Sequence, residues 1–413
     1  MDDLTAQFAG SRMRSAALLL AAQLLCLPLA AEAQAAPQLS VIHDFNGDHG
    51  GGPWAGLALG ADGVLFGTTR IGGSPDNHGT IFKLMPAATP SGYQHEVLHR
   101  FSGTDGQFPQ SGVVLGADGS LLGTTISGGS FGGGTVYRMV RPNNPTRKHR
   151  VLRNFHFNIG ETLVGNVVQD ENGNLYGAAS QSGRHLGGTL YKLTQPAEAT
   201  QVRASWPLAI LRHFRATQIA DSRSTLIRDD AGNLYGTATG GLGGGLVYRL
   251  APSGQLSVLY VFPAGEGSPH AGLLRDGDGI LYGTAIGGGS GSFGVVFSLT
   301  PPPEGSKRWK FRELHGFDGN DGSTPSGPLI MDQDGTLFGT TATGGTFSGG
   351  TVFALKRPLP GKNRWRHRTL AHLDIATGRA PLGGLVRDQA GVLYGTTSNG
   401  GAFNQGTAFK IVP

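Results

Sequence analysis

Short apolar segments separated by glycine-rich turns recur along most of this chain. One phrase of four residues occurs seven times: leucine, a second large apolar residue, glycine, and then threonine or alanine. The seven copies are Leu65–Thr68, Leu121–Thr124, Leu175–Ala178, Leu234–Thr237, Leu281–Thr284, Leu337–Thr340 and Leu393–Thr396. Successive glycines of the phrase lie 47 to 59 residues apart, a period typical of repeat architectures such as propeller blades.

Each repeat predicts four short antiparallel strands, A to D, bounded by turn residues. Strand A is represented by Gly272–Asp276, and the turn Asp278–Gly279 connects it to strand B, which is the repeated phrase. A glycine-rich loop such as Gly344–Gly350 precedes strand C, for example Thr351–Leu355, and strand D follows, as in Val97–Phe101. β-branched and aromatic residues are enriched in these segments, which favours strands.

The two ends of the repeat region are complementary. Leu39–Phe45 has the pattern of strand D, whereas the chain finishes with Thr407–Val412, which has the pattern of strand C. The N-terminal strand is therefore expected to complete the last blade and to protect its sheet edge. The sequence predicts an all-β fold, a seven-bladed β-propeller with four-stranded blades. An open solenoid is the alternative, but it would need atypical terminal repeats.

The N-terminal segment has the features of a signal peptide. Arg12 and Arg14 precede the apolar run Ser15–Ala30, and Ala31–Ala33 supplies small residues for cleavage. We therefore predict a signal peptide over residues 1–33 and the propeller over residues 34–413, with an uncleaved anchor as the alternative. The mature protein is expected to be exported, to the periplasm or the extracellular medium, without a transmembrane anchor.

Composition supports a folded protein made of short strands and tight turns. Glycine accounts for 70 of the 413 residues, and charged residues for only 15%. No collagen-like period or long polar tract is present, which excludes the fibrous and disordered classes. The single cysteine, Cys26, lies in the predicted signal peptide, so no disulfide is expected to stabilise the mature chain.

The repeats resemble the GloVer repeats (Gloeobacter/Verrucomicrobia type) of exported bacterial proteins. They share an Asp-Gly-x-x-Pro motif before strand A, present at Asp105–Pro109 and Asp321–Pro325, and a strand C such as Gly349–Phe353. The resemblance covers nearly the whole predicted propeller; it implies an exported or surface protein but no established chemistry. Repeats three and four depart from the pattern, because Asn158–Val164 and Arg215–Ser224 lack the Asp-Gly-x-x-Pro motif.

Loops from strand D to A and from strand B to C are expected to share one rim, where propellers commonly bind ligands. Side chains there that break the repeat are candidates for a ligand site. They are His156, Glu161, Arg184, His185, Arg215 and Arg223. Arginine could neutralise a uronate while histidine abstracts a proton, as in a polysaccharide lyase with its site over blades three and four. The alternative is a set of solvated loop residues without a shared role.

The connections between strands C and D carry a second group of candidates. They are basic and contain aromatic residues, a composition suited to anionic polymers. The candidate polyanion-binding residues are Lys307, Arg308, Arg364, Arg366 and Arg368. The alternative is a solvated outer edge whose charges prevent aggregation between strands.

No metal site or cofactor is predicted. Recurrent Asp-x-x-Gly segments such as Asp276–Gly279 occur where a turn is required, and a turn role explains their aspartates without calcium. Four histidines are expected to occupy one repeated structural position on strand D: His43, His99, His315 and His372.

Because no catalytic constellation is complete, the sequence favours a non-enzymatic binding or structural propeller. The expected partner is a glycan, an envelope polymer or a protein, whereas nucleic acid suits an exported protein less well. The uronate-polysaccharide lyase is the alternative, with its site on the rim that carries the D-to-A loops of blades three and four.

Overall fold

The repeated phrase forms strand B of each blade, and in blade 1 all five residues of this strand are buried. The computed structural model describes residues 36–412, except 141, 145, 147 and 197–205; the predicted signal peptide lies outside the described residues. Pro37–Pro413 forms one compact unit. The described part contains thirty strands and one 3-10 turn, Ala61–Gly63. None of its helices is long and apolar enough to cross a membrane.

Strand lengths follow the repeat, with two residues in each A strand and five or more in the others. Strand β1 covers Gln38–Asp44. Blade 1 contains β2 (Ala58–Leu59), β3 (Leu65–Thr69), β4 (Thr80–Pro86) and β5 (Tyr93–Arg100). Blade 2 contains β6 (Val114–Leu115), β7 (Leu121–Thr125), β8 (Thr135–Val140) and β9 (Lys148–Asn154). Blade 3 contains β10 (Val168–Gln169), β11 (Leu175–Ala179), β12 (Leu186–Leu193) and β13 (Leu208–Arg215), and β14 (Ile219–Ala220) follows it.

The second half of the ring continues in the same way. Blade 4 contains β15 (Ile227–Arg228), β16 (Leu234–Ala238), β18 (Leu246–Leu250) and β19 (Leu256–Val261), with β17 (Gly240–Gly241) in its B–C loop. Blade 5 contains β20 (Leu274–Arg275), β21 (Leu281–Ala285), β22 (Val295–Thr300) and β23 (Lys310–Gly316). Blade 6 contains β24 (Ile330–Met331), β25 (Leu337–Thr341), β26 (Thr351–Lys356) and β27 (Arg366–His372). The last three strands are β28 (Val386–Arg387), β29 (Leu393–Thr397) and β30 (Thr407–Val412).

The ring closes as the sequence predicts. Blades 1 to 6 are antiparallel sheets in the order A-B-C-D, and β14 pairs with β17 in a separate two-stranded sheet. In blade 7 the order is β28-β29-β30-β1, so the N-terminal strand supplies strand D. Leu39 faces Ile411 and Val41 faces Phe409 in this pairing. The prediction of a seven-bladed propeller closed by its two ends is confirmed.

The glycine of the repeated phrase is required by the aromatic residue on the neighbouring strand. A Cβ added at Gly283 would lie 2.6 Å from Cζ of Phe297 on β22. Tyr248 occupies the same space beside Gly236, and both aromatic rings are fully buried. A larger residue than glycine would therefore displace a ring of the core.

The first threonine of the phrase connects five of the seven blades to the next one. Thr340 Oγ1 donates a hydrogen bond of 3.0 Å to the Gly383 carbonyl, at the entry of blade 7. Thr396 Oγ1 donates one of 2.7 Å to the Ala55 carbonyl, which links blade 7 to blade 1. Because these hydroxyls are buried, the bonds satisfy groups that water cannot reach, and each is worth about 1 kcal/mol.

The predicted set of four equivalent histidines is wrong in one member. His43, His99 and His315 share one position, since each faces the second residue of strand C. His372 faces Thr351, the first residue of strand C. His372 lies one position further along strand D. The buried residue that follows the strand is Leu373, directly after His372, whereas the corresponding phenylalanine lies two residues after each of the other three histidines. There its Nδ1 accepts the Thr346 N–H of the B–C loop at 3.1 Å.

Candidate functional site

The six candidate rim residues lie on loops of blades 2 to 4. His156 and Glu161 lie between blades 2 and 3, and Arg184 and His185 lie in the B–C loop of blade 3. Arg215 is the last residue of β13, and Arg223 lies in the loop that leads from it to blade 4. Arg184, His185 and Arg215 are exposed, whereas the other three are half-buried. The candidates thus lie on one rim.

Backbone hydrogen bonds join three of these loops side by side along the rim. The carbonyl of Phe157, next to His156, accepts the N–H of Gly183 at 2.7 Å. In the same B–C loop, the carbonyl of His185 accepts the N–H of Ala216 at 3.3 Å. The side chains of these three loops are largely exposed, so the loops form an open surface.

Glu161 and Arg223 are held by their neighbours. The Glu161 carboxylate accepts a hydrogen bond from the Ser182 hydroxyl. Nε of Arg223 lies 2.7 Å from both carboxylate oxygens of Asp221. Both side chains are therefore committed to contacts within the rim.

A groove of about 600 Å³ lies on the outer edge of the ring between blades 4 and 5. It is lined by Val258–Val261 of β19 and by Arg308–Phe311 at the beginning of β23. Tyr260 and Phe311 stack in it, with ring centroids 4.5 Å apart and planes inclined by 10°. Arg308 is exposed and Trp309 is half-buried. The groove therefore combines aromatic and cationic lining.

The predicted polyanion-binding residues lie on the outer edges of two adjacent blades, 5 and 6. All five are exposed: Lys307, Arg308, Arg364, Arg366 and Arg368. The guanidinium of Arg312 on β23 donates to the carbonyl of Asn363, just before β27, so the two edges are in contact. These residues form a basic track that begins at the groove and continues onto blade 6.

A histidine–aspartate cluster between blades 1 and 2 was not predicted. Nε2 of His99 lies 2.7 Å from Oδ2 of Asp105, and Nδ1 of His149 lies 3.6 Å from the same oxygen. The two imidazoles stack, with centroids 3.9 Å apart and planes inclined by 8°. An imidazole lone pair lies in the plane of its ring, so two parallel, stacked rings direct their lone pairs along lines that do not meet at one ion. We therefore assign no metal to this cluster.

The same arrangement recurs between blades 5 and 6. His315 and His367 lie 2.8 and 3.7 Å from Oδ2 of Asp321, and their rings stack with centroids 4.2 Å apart. Asp321 belongs to the Asp-Gly-x-x-Pro motif, as Asp105 does. The sequence signal was the coincidence of this motif with a histidine near the beginning of the next strand D. We call these two clusters the His–Asp–His clasps.

Burial keeps the second histidine of each clasp neutral. It lowers the pKa of His149 to about 3, and His99 acts in the same direction while Asp105 opposes the shift. The pKa of His367 is lowered to about 4 by burial and by His315, against the opposing effect of Asp321. Burial alone would raise the pKa of Asp105, but hydrogen bonds from His99 and the Ser102 N–H lower it to about 2.

Ring pairs also stack at two other blade junctions. One ring belongs to the strand-D residue that faces the second residue of strand C, and the other to the strand-D residue of the next blade that faces the fifth. Between blades 7 and 1, His43 stacks on His95 with centroids 4.3 Å apart, and burial lowers their pKa values to about 4 and about 3. Between blades 4 and 5, the pair is Tyr260 and Phe311. The groove therefore lies at the junction where an apolar aromatic pair takes the place of a histidine pair.

These features define the class of the protein as a seven-bladed, four-stranded β-propeller with a sevenfold sequence repeat. The chain belongs to the Gloeobacter/Verrucomicrobia repeat family, whose model matches residues 32–241 and 221–413. No curated protein sequence matches it significantly.

The chain is similar to several solved structures at low sequence identity. A protein from Bacteroides uniformis, provisionally assigned as a 6-phosphogluconolactonase, is 14% identical with a TM-score of 0.51, covering 83% of this chain and 90% of that one. A provisionally assigned gluconolactonase is 12% identical with a TM-score of 0.42, over 91% and 92% of the two chains. A Thermus thermophilus protein, provisionally assigned as a glucose dehydrogenase, is 16% identical with a TM-score of 0.42, over 91% and 100%. At 14% identity, the similarity to the Bacteroides uniformis structure concerns the fold, not an activity.

Proposed function

We propose that this protein is an exported, non-enzymatic propeller that binds an anionic polysaccharide in the groove between blades 4 and 5. The observation that carries the proposal is the place of Arg308. It is one of the cations expected from the sequence to bind a polyanion, and it lines the groove beside Trp309, Tyr260 and Phe311. The signal-peptide pattern of the N-terminus supports export.

The groove has the chemistry that an acidic sugar requires. A volume of about 600 Å³ falls within the range of small-ligand sites, which are mostly apolar with a few polar groups. The apolar face of a sugar ring packs on an aromatic side chain such as Trp309. Its carboxylate or sulfate accepts charge-assisted hydrogen bonds from Arg308 and Lys310, which are stronger than neutral ones.

The basic track explains why a polymer fits better than a single sugar. Lys310 and Arg312 lead along β23, and Arg364, Arg366 and Arg368 continue onto blade 6. A chain held in the groove would pass these exposed cations. Each adds a weak, salt-sensitive contact, so affinity should grow with chain length.

The test is retention on alginate, a uronate polymer, with neutral dextran as the control matrix. We expect retention on alginate at low salt that falls with added salt. The variant Trp309→Ala removes the ring on which the sugar packs, and Arg308→Gln/Lys310→Gln removes two charge-assisted contacts. Each should weaken binding of a short alginate oligosaccharide at least about tenfold. The matched pair Arg366→Gln/Arg368→Gln changes two exposed cations outside the groove; it should weaken binding of the long polymer only.

Three results would refute the proposal: no retention on alginate, equal retention on dextran, or retention unchanged in both groove variants. Incubating the protein with alginate also tests the lyase alternative. Release of unsaturated uronate products that disappears in a His156→Ala/His185→Ala variant would replace binding by catalysis at the rim.

A further inference from the structure

We propose that the strip on the rim of blades 2 to 4 docks this propeller on the surface of an anionic lipid bilayer. The strip consists of four exposed apolar side chains and two exposed arginines: Phe131, Phe157, Leu186, Leu242, Arg184 and Arg215. It lies on the rim of the B–C and D–A loops and shares no residue with the groove, so it adds a second surface to the polysaccharide site.

Exposed apolar side chains are concentrated on this rim. Six of the seven B–C connections, all of them within the described residues, carry one. In five it lies in the four residues before strand C, and in blade 3 it is the first residue of that strand: Phe131, Leu186, Leu242, Phe293, Phe347 and Phe403. The D–A loops add Trp54, Phe157 and Ile375. Phe131 is 65% exposed and Leu186 is 62% exposed. Large apolar groups gathered on one surface mark an interaction site.

The kind of side chain and its placement suit a bilayer. Leu186 and Leu242 are aliphatic and offer no ring on which a sugar could stack, whereas hydrocarbon accepts leucine and phenylalanine equally. The side chains stand on separate loops around the ring and not in one concave pocket. A continuous apolar layer can receive all of them without matching a particular shape, as it does for surface-bound apolar faces.

Charge favours one sector of the rim. Neither Arg184 nor Arg215 has a carboxylate within 4.0 Å among the described residues. Leu186 pairs with Arg215 across the beginning of β12 and follows Arg184 by two residues, so both cations adjoin an apolar side chain. Basic groups beside inserted apolar groups are attracted by anionic headgroups.

The opposite sector has similar apolar side chains, but carboxylates accompany its exposed arginine, Arg379. Phe293 contacts Gly319, next to the exposed Asp318. The loop of Phe347 lies against the backbone of Asp374. Anionic headgroups would repel these carboxylates, so docking should involve blades 2 to 4 and not blades 5 to 7. This difference supplies a matched control within the same protein.

The experiment is co-sedimentation of the purified protein with vesicles of equal parts phosphatidylglycerol and phosphatidylcholine, compared with pure phosphatidylcholine. We expect binding to the anionic vesicles that falls with salt. Phe131→Ser/Leu186→Ser and Arg184→Gln/Arg215→Gln should each lower the partition coefficient about tenfold or more. Phe347→Ser/Phe403→Ser, which alters equivalent loops of blades 6 and 7, should change it less than about twofold.

Circular dichroism confirms that each variant is folded, which is expected because the altered side chains are exposed. The proposal is overturned if the wild type ignores anionic vesicles, if neither strip variant weakens binding, or if the blade 6 and 7 pair weakens it equally. Sedimentation without vesicles tests whether the strip binds a second copy of this protein instead. If the wild type forms a dimer that the Phe131→Ser/Leu186→Ser variant abolishes, the strip is a dimer interface. Trp309→Ala should leave vesicle binding unchanged, so failure of the polysaccharide site remains distinguishable.

Discussion

The His–Asp–His clasps should make this propeller less stable in mild acid, and the repeat itself suggests the variant that tests this. His149 and His367 face the fifth residue of strand C in their blades. Leucine occupies the same position in blades 3 and 4, at Leu208 and Leu256. The double variant His149→Leu/His367→Leu therefore introduces a side chain that the fold already accepts at this position.

The magnitude follows from the difference in pKa between the folded and unfolded chains. A free imidazole has a pKa of 6.5, whereas the pKa is about 3 at His149 and about 4 at His367. At about pH 5 the unfolded chain binds a proton at each site that the folded chain excludes. Stability therefore falls as the pH drops below 6.5, by about 1.4 kcal/mol per pH unit and per histidine. At pH 5 this amounts to about 2 kcal/mol for each residue.

Solvent screening should reduce this effect little, because the side chains are only 8% exposed at His149 and 13% at His367. The charged groups that face His149 are His99 and Asp105; those that face His367 are His315, Asp321 and Asp318. Asp105 and Asp318 stay ionised at pH 5, since the pKa of Asp105 is about 2 and that of Asp318 is lowered by a hydrogen bond from the backbone of Asp321.

The assay is urea unfolding followed by circular dichroism at about pH 7.5 and about pH 5. The variant should lose about 4 kcal/mol less stability than the wild type over this interval, a large share of the 5–15 kcal/mol typical of folded proteins. His185→Leu, a change at an exposed histidine, is the control and should keep the wild-type dependence. An equal loss in wild type and double variant would refute the argument, as would a wild type whose stability does not change.

Two further predictions compare matched positions of the repeat by the same unfolding assay. Gly283→Ala should lower the free energy of unfolding by about 1–3 kcal/mol because its Cβ meets the Phe297 ring. A Cβ at Gly277 would have nothing within 4 Å, so Gly277→Ala should be neutral or stabilise by up to about 1 kcal/mol. Equal effects of the two variants would contradict the packing argument. Thr340→Val should lower the free energy of unfolding by about 1 kcal/mol because it removes the hydrogen bond to Gly383. Thr68→Val should leave it unchanged because the buried Thr68 hydroxyl has no partner. A larger loss of stability at Thr68 than at Thr340 would show that these hydroxyls do not join the blades.

The fold was predictable because the repeat supplies the same information seven times. Errors in one strand are corrected by the other copies, and the mismatched ends, Leu39–Phe45 and Thr407–Val412, determine how the ring closes. The equivalence of His372 with the other strand-D histidines was wrong because a one-residue difference is invisible in a short motif. It changes the facing residue on strand C and gives the histidine a different hydrogen-bond partner.

The site could be predicted only where its residues are close in sequence. The basic segment around Arg308 is a candidate from the sequence because its cations are close together, and Arg308 lines a groove. Tyr260, on the other wall, belongs to another blade and carries no signal of its own. The pairing of His99 with His149 was missed for the same reason, since contacts between blades depend on the ring.

The departures from the repeat in blades 4 and 5 are physically coupled. In blade 6, Thr341 and Thr351 share a buried hydrogen bond of 2.8 Å, and Thr351 also bonds the Asp321 carbonyl at 3.1 Å. The pairs at this place in blades 4 and 5 are Ala238 with Leu246 and Ala285 with Val295.

A buried threonine without its loop carbonyl would leave a hydroxyl unsatisfied, at a cost of about 1–3 kcal/mol. In blades 1, 3 and 7 the loop carbonyls of His49, Ile159 and Thr377 accept this bond although those loops also lack the Asp-Gly-x-x-Pro sequence. In blades 4 and 5 apolar residues replace both threonines, which avoids that cost. The junction between blades 4 and 5 changes in the same direction, because Tyr260 and Phe311 stand where blades 1 and 2 have His99 and His149. Polar connections are thus exchanged for apolar ones in concert, and the groove lies where this exchange brings aromatic side chains to the outer edge beside Arg308.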